Sequence, residues 1–309
     1  KNNFQVELDP DKEVLACIGS KRGVADLPMA LCDPGDIVLV PNPCYTAYLP
    51  GILMAGAEVH FMPLLEENDF LPDLDAIPEE IRRRAKLMLL NFPGNPTAAL
   101  GPLPFFQNVV EFAGKYNIIV SHDAPYSEAV FDGNRQPSFL ETPGAKEVGI
   151  EFHSVSKVFN MSGWRCAHAV GNAEVLACLG KVRSNVDMGV FQPIQHAAIA
   201  ALTGSMDFTR GMCRVYNRRR DVLIEGLNRL GWKVRKNPAT FFVWTRVPRP
   251  GITSGDFASA VLKKSGVLFT PGRGFGEYGE GYIRIALTVE EDRLREAVDR
   301  IEKAGFVYA

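Results

Sequence analysis

The sequence predicts an α/β fold: a mostly parallel sheet sandwiched by helices, followed by a smaller α+β domain at the C-terminal end. Two observations lead to this prediction. Short apolar runs alternate with longer mixed segments over the first two-thirds of the chain, as in strands joined by helical crossovers. Beyond about Val215, helical segments flank a few strand-like runs instead. We place the boundary near residue 213, which predicts a large domain over residues 1–213 and a small one over 214–309.

The predicted strands of the large domain are short, apolar on both faces and bounded by Gly, Pro, Asn or Asp, which is typical of buried parallel strands. They cover residues 14–18, 37–40, 59–62, 87–90, 118–120, 150–152 and 166–170. Between them, residues 104–116 have helical periodicity. In an open α/β sheet the ligand lies beyond the carboxyl ends of the strands, so the residues after each run are the candidates for function.

The small domain has its own pattern. Predicted helices cover residues 217–230 and 290–304, and predicted strands cover 241–244, 267–269 and 282–286. A glycine-rich run at 272–276, with Gly279, resembles a dinucleotide-binding loop. Such a loop opens a helix, whereas this one precedes a predicted strand, so we interpret it as a mobile loop beside the active site.

The composition excludes several classes of protein. The net charge of −2 gives no nucleic-acid footprint, and no apolar run is long enough to span a membrane. The six cysteines form no C-x-x-C pair and the five histidines are dispersed, so we expect reduced thiols and no metal site. The polar residues 1–10 lack the apolar core of a signal peptide, and we expect a cytoplasmic protein.

A lysine and a set of phosphate-binding groups follow the predicted strands at 14–18 and 150–152 or directly precede the one at 166–170. Lys157 comes soon after the strand at 150–152, where a destabilised ammonium can act as an amine nucleophile, although a lone lysine there is more often solvated. Hydroxyls and basic groups suited to a phosphate lie at the same ends of the sheet. They are Ser20, Lys21, Ser154, Ser156 and Arg165.

Four further side chains follow other strands. Asp123 can pair with a protonated ring nitrogen or simply cap a helix. Asn95, in a loop with two prolines, and Tyr126 can each donate a hydrogen bond to a ring oxygen, and Tyr45 can stack on a flat ring. Each has an ordinary structural alternative. Together they supply the amine, acid, amide, aromatic ring and phosphate cradle that pyridoxal 5'-phosphate (PLP) requires.

The chain closely resembles the fold-type-I, class I/II aminotransferases, which share the PLP-dependent transferase fold, over essentially all of its 309 residues. The matching motifs occur in family order: GSKRG, NPCY, NFPGNPT, DAPY, SVSKVFNMSGWR and YIRIALT. Within the family the likeness is greatest to LL-diaminopimelate and aspartate-type aminotransferases. Family members normally have several tens of residues ahead of the position of Lys1, and we expect this chain to lack that N-terminal segment.

The resemblance implies a role for each matching residue. Lys157 would hold PLP as a Schiff base and carry the proton, and Asp123 would pair with the ring nitrogen. Tyr126 and Asn95 would meet the phenolic oxygen, and Tyr45 would stack on the ring.

The same resemblance assigns the two ends of the site. The hydroxyls and basic groups named above would surround the phosphate. Arg284, with Asn95, would bind the substrate α-carboxylate. Gly94 and Ala98 replace the Asn and Gly usual in the family, so we expect a locally different backbone around Asn95.

The implied activity is transfer of an amino group between an L-amino acid and a 2-oxo acid, such as LL-diaminopimelate or aspartate with 2-oxoglutarate. Family members form active sites at a dimer interface, so we expect a homodimer with small-molecule substrates and no nucleic-acid or membrane partner. Three alternatives stay open: a PLP-dependent C–S β-lyase, a non-catalytic PLP-sensing domain, and an inactive fragment.

Overall fold

A computed structural model describes residues 3–308 and contains two separate sheets. The first has seven strands in the order β1-β7-β6-β5-β4-β2-β3. Its strands are β1 (Val14–Cys17), β2 (Ile37–Asn42), β3 (Glu58–Pro63), β4 (Ala85–Leu90), β5 (Ile119–Asp123), β6 (Gly149–Ser154) and β7 (Ala167–Gly171). Only β7 runs against the others, pairing antiparallel with both β6 and β1, so the sheet is mostly parallel as predicted.

Helices cover both faces of this sheet. They are α1 (Ser20–Leu31), α2 (Tyr48–Met54), α3 (Glu79–Arg84), α4 (Leu103–Tyr116), α5 (Ala145–Val148), α6 (Val155–Val158), α7 (Ala173–Val186) and α8 (Gln192–Thr203). One core packs α1, α2 and α7 against the sheet, and a second, rich in phenylalanine, packs α4 against the opposite face. The helical period predicted over residues 104–116 is confirmed by α4.

The second sheet has three antiparallel strands in the order β8-β10-β9. They are β8 (Phe242–Arg246), β9 (Thr270–Pro271) and β10 (Tyr282–Ala286), and they pack with α9 (Asp207–Arg229), α10 (Ser254–Ser265) and α11 (Glu291–Lys303). A separate apolar core joins these elements. The boundary proposed near residue 213 falls inside α9 and stays a prediction.

Three sequence-based predictions were wrong in detail. The strand at 59–62 is not buried on both faces, because β3 lies at the sheet edge and Phe61 is exposed. Residues 267–269 form no strand: Phe269 is apolar because it packs in the small-domain core, and pairing starts only at Thr270. The helix predicted from residue 217 begins ten residues earlier, at Asp207, because no proline interrupts that segment.

The glycine-rich run does not open a helix. It forms two short 3-10 turns, Gly272–Phe275 and Glu277–Gly279, and β10 follows directly. The backbones of Gly272 and Gly279 approach so closely that a Cβ on Gly272 would lie 2.0 Å from the carbonyl oxygen of Gly279. Glycine is therefore required here for close packing, which agrees with the rejection of a dinucleotide loop.

Candidate active site

One cavity of about 440 Å³ lies at the carboxyl ends of the central strands, where the α/β topology predicts a ligand site. All eleven candidate residues line it. They are Ser20, Lys21, Tyr45, Asn95, Asp123, Tyr126, Ser154, Ser156, Lys157, Arg165 and Arg284. A larger cavity of about 640 Å³, beside the small sheet, contains none of them. The sequence therefore identified a spatial cluster from residues up to 264 positions apart (Ser20 to Arg284).

The sheet determines where the central groups lie. Asp123 is the last residue of β5, and Ser154 is the last residue of β6. The Ser154 hydroxyl accepts a hydrogen bond from the backbone N–H of Ser156 and so caps the short helix that carries Lys157. Since β5 and β6 pair in parallel, the acid and the amine project from the same edge of the sheet.

Asp123 is buried, and its two carboxylate oxygens differ. Oδ2 accepts a 2.9 Å hydrogen bond from the Tyr48 hydroxyl, while Oδ1 is buried with no hydrogen-bond partner among residues 3–308. Burial raises the pKa of Asp123 to about 6, although the Tyr48 hydrogen bond opposes that shift. A buried acceptor without a donor is costly, so Oδ1 is suited to a donor supplied by a ligand.

Lys157 has the environment of a reactive amine. Burial lowers its pKa, and the positive charges of Arg165 and Arg284 lower it further. Its Nζ lies 5.2 Å from the centroid of the Phe241 ring. A larger fraction of neutral amine at neutral pH makes this side chain a better nucleophile and a better proton carrier.

The opposite end of the cavity is suited to an anion. Arg165 lies against Gly19, where a Cβ would be 2.1 Å from Nη2 of the guanidinium. Gly19 also has a φ of 76°, a conformation that glycine adopts without strain, and it directly precedes α1. The hydroxyl of Ser156 is buried with no hydrogen-bond partner among the described residues. A helix N-terminus, a guanidinium and a free hydroxyl together form a phosphate-type site.

Arg284 enters the cavity from β10 of the small sheet. Its guanidinium lies between two aromatic rings, 4.1 Å from the centroid of Phe242 and 4.6 Å from that of Phe275. Its Nη1 donates a 2.6 Å hydrogen bond to Oδ1 of Asn95. Burial lowers the pKa of Arg284, and the described residues hold no carboxylate in an ion pair with it. A ligand carboxylate can satisfy the remaining donors.

Two tyrosines complete the lining. Tyr45 is half-buried and makes an edge-to-face contact with Tyr48, with ring centroids 5.7 Å apart. Tyr126 is buried, and burial raises its pKa well above the ordinary tyrosine value, so it stays a hydroxyl donor. Both side chains are therefore available to a flat ring in the cavity.

Four contributors were not assigned from the sequence. Tyr48 is the first residue of α2, and its contact with Asp123 spans 75 positions, so local sequence does not indicate it. Asn91 opens the NFPGNPT motif, and it lines the cavity and bonds to Asp123 at the end of β5 and to Asn95 in its own loop. Phe242 is the first residue of β8 and Phe241 directly precedes it, and nothing in their local sequence indicates that they reach the large-domain site.

The cavity fits a group with a protonated ring nitrogen at one point and a phosphate at another. Two atoms of the residues that line it are buried without a hydrogen-bond partner, Oδ1 of Asp123 at the acid end and Oγ of Ser156 at the anion end. The amine of Lys157 is available to an aldehyde. On these observations the residues present fit PLP.

Comparison with known proteins agrees with this fit. Residues 2–301 match the family model described as aminotransferase class I and II. The LL-diaminopimelate aminotransferase of Moorella thermoacetica is 55% identical over 300 residues, covering 97% of this chain and 77% of that protein. The LL-diaminopimelate aminotransferase of Halothermothrix orenii is 52% identical, covering 100% and 79% respectively.

Solved structures show the same similarity. Substrate-bound BacF from Bacillus subtilis superposes with a TM-score of 0.96 at 42% identity, covering 99% of this chain and 78% of that one. A probable N-succinyldiaminopimelate aminotransferase from Thermus thermophilus superposes with a TM-score of 0.93 at 37% identity, covering 98% and 81%.

Proposed function

The chain belongs to the class I and II aminotransferases, and on that premise we propose that its amino donor is LL-diaminopimelate and its acceptor 2-oxoglutarate. It is a PLP-dependent enzyme that moves an amino group between an amino acid and a 2-oxo acid. The observation that carries the choice of donor is the identity of more than half of its residues to LL-diaminopimelate aminotransferases. Aspartate, the other donor suggested by sequence, is the alternative that the experiment must exclude.

We propose that the cavity residues act as the resemblance implies. When bound, PLP supplies an aldehyde that exchanges amines and a ring that takes up electron density. Arg284 and Asn95 hold the substrate α-carboxylate, which orients the α-carbon hydrogen toward Lys157. The amine of Lys157, its pKa lowered by burial, would take the proton from the α-carbon and return it at C4′ of the bound cofactor.

The remaining residues support that transfer. The carboxylate of Asp123, whose Oδ1 is buried without a partner, would accept a hydrogen bond from the ring nitrogen and so keep that nitrogen protonated. Tyr126 and Asn95 donate to the phenolic oxygen, and Tyr45 stacks on the ring. Ser20, Lys21, Ser154, Ser156 and Arg165 hold the phosphate.

We also propose a homodimer. Support comes from a run of exposed apolar side chains in and around α8: Val186, Met188, Phe191, Ile199, Leu202 and Phe208. Large apolar side chains exposed together along one segment are typical of an interface. No helix among residues 3–308 is long and apolar enough to span a membrane. All six cysteines are free, which supports the proposed cytoplasmic location.

The test of the donor is a half-reaction. PLP-loaded protein is mixed with LL-diaminopimelate, with L-aspartate or with L-glutamate, and the visible absorption band is followed. We expect the band to convert to that of pyridoxamine phosphate with LL-diaminopimelate, and 2-oxoglutarate to restore it. Conversion with aspartate alone would overturn the choice of donor. A persistent visible band, with pyruvate and ammonia released from cystathionine, would indicate a C–S β-lyase.

A further inference from the structure

A buried polar network links strands β5 and β6 next to the candidate active site. His122 on β5 and Glu151 on β6 are register partners, and both side chains are fully buried. Because side chains alternate along a strand, His122 lies on the opposite face of the sheet from the adjacent Asp123. Its imidazole packs among phenylalanine rings. A polar side chain buried in such surroundings needs hydrogen-bond partners.

The hydrogen bonds of His122 determine its protonation state. The backbone N–H of Phe92 donates to Nε2 at 3.2 Å, so that nitrogen carries no proton. The proton is therefore on Nδ1, which donates to Oε2 of Glu151 at 2.7 Å. His122 is neutral, in a single tautomer, and joins the start of the Asn95 loop to strand β6.

Glu151 is the central hydrogen-bond acceptor of this network. Its carboxylate accepts hydrogen bonds from His122, from Nε2 of His153, from the hydroxyl of Ser138 and from the backbone N–H of Phe139. Burial opposes its ionisation, but the charge of His153 and the histidine hydrogen bonds outweigh burial and hold the pKa of Glu151 well below its ordinary value. The carboxylate is thus ionised and held by four hydrogen bonds.

The loop that carries Asn95 is joined to the strand of Asp123 at two successive residues. Nδ2 of Asn91 donates to the backbone carbonyl of Asp123 at 2.7 Å, and its Oδ1 accepts from the N–H of Asn95 at 2.7 Å. One residue on, Phe92 bonds to His122. These contacts hold the Asn95 loop against the end of β5, which carries Asp123.

We propose that His122 and Glu151 are positioning residues: they hold the Asn95 loop at a fixed distance from Asp123, and thereby determine how the cofactor ring is oriented in the cavity. Neither side chain lines the cavity that holds the ring. This inference rests on the proposed roles of Asn95 and Asp123. The two residues contact neither cofactor nor substrate in this proposal, and the resemblance gave them no role.

The test uses His122→Phe in the full chain, with Ser265→Ala as a matched control. Phenylalanine fits the aromatic surroundings of His122 but removes both hydrogen bonds. Ser265→Ala also removes two hydrogen bonds of a buried side chain, in α10 outside the cavity. The measurements are the Kd for PLP of the cofactor-free protein, the visible circular dichroism of bound PLP, and the Tm.

We expect His122→Phe to weaken PLP binding about tenfold or more and to change the circular dichroism band, since a buried N–H loses its acceptor. Ser265→Ala should lower the Tm but leave the Kd and the band unchanged. An unchanged Kd and band in His122→Phe, with only a lower Tm, would show a purely structural role. If His122→Phe does not fold, the same measurements are made on Glu151→Gln. A Kd for PLP of Glu151→Gln within twofold of the wild-type value would overturn the inference. Failure of the unsubstituted protein to bind PLP would instead overturn the proposed function.

Discussion

The hydroxyl of Tyr48 donates a hydrogen bond of 2.9 Å to one oxygen of Asp123, while the other oxygen is buried with no partner among residues 3–308. Burial raises the pKa of Asp123 from 3.8 to about 6. Because the folded pKa is above the unfolded one, the stability linked to this group is present in acid and is lost as the pH rises through about 6. At neutral pH the cofactor-free protein therefore bears a buried charge that a protonated ring nitrogen would stabilise.

Asp123→Asn should consequently stabilise the cofactor-free protein while impairing PLP binding. The amide removes the buried charge and still accepts the Tyr48 hydrogen bond through its oxygen. We expect a gain in the free energy of unfolding on the order of 2 kcal/mol at pH 8 and little gain at pH 4. Urea unfolding at both pH values measures this difference.

The matched control is Asp132→Asn. Asp132 accepts hydrogen bonds from the buried Arg220, and this contact, opposed by burial, lowers its pKa. Removing its charge leaves a buried cation with one fewer counter-ion, so this variant should be destabilised at pH 8. Equal shifts of the same sign in the two variants would contradict the account of Asp123.

Lys157→Ala should abolish the visible absorption band of the purified protein, because no other amine is proposed to react with the cofactor aldehyde. The loss of the proton carrier should lower kcat by about 10²–10⁴-fold even when PLP is supplied in excess. Lys181→Ala, an exposed lysine on α7, is the control and should leave band and rate unchanged. A visible band that persists in Lys157→Ala would refute the assignment of the cofactor lysine.

Arg284→Lys should raise the KM for the amino donor much more than it lowers kcat. Lysine keeps the charge but loses the planar fork, its contact with the Phe242 ring and the bond to Asn95. We expect an increase in KM of about 10–100-fold. Arg273→Lys, at an exposed arginine of the glycine-rich run at 272–276, is the control and should leave KM unchanged. Steady-state kinetics of both variants measures KM and kcat. An unaltered KM in Arg284→Lys would show that Arg284 does not bind the substrate carboxylate.

Local sequence was sufficient to predict the strands of the large domain and the positions where they end. Apolar runs bounded by turn residues predicted all seven strands of the first sheet, and function followed from the residues just after them. Prediction failed where packing outside the segment decides the structure. Phe269 belongs to an apolar run, but it packs in the core of the small domain and is not part of a strand. Strand β3 is exposed because it lies at the edge of the sheet, where no further strand pairs with it.

The same distinction applies to the site. Lys157, Asp123 and Asn95 belong to motifs and were predicted one by one. Tyr48 and His122 were missed because their roles come from contacts across the sequence: Tyr48 bonds to a residue 75 positions away, and His122 to one 29 positions away. Spacing along the chain carries no signal for such pairs.

If the proposed dimer forms through the exposed apolar side chains around α8, a charge introduced there should weaken it. Phe191, which precedes the first residue of α8, is 70% exposed, and a negative charge there would be buried without a partner in an interface. Phe191→Glu should therefore shift the protein from dimer to monomer by at least about tenfold in Kd. Light scattering and sedimentation over a range of concentrations measure the shift. Leu268→Glu, at a site 74% exposed on the small domain, is the control and should stay dimeric. An active monomer in the unsubstituted protein, or equal dissociation in both variants, would exclude this surface as the interface.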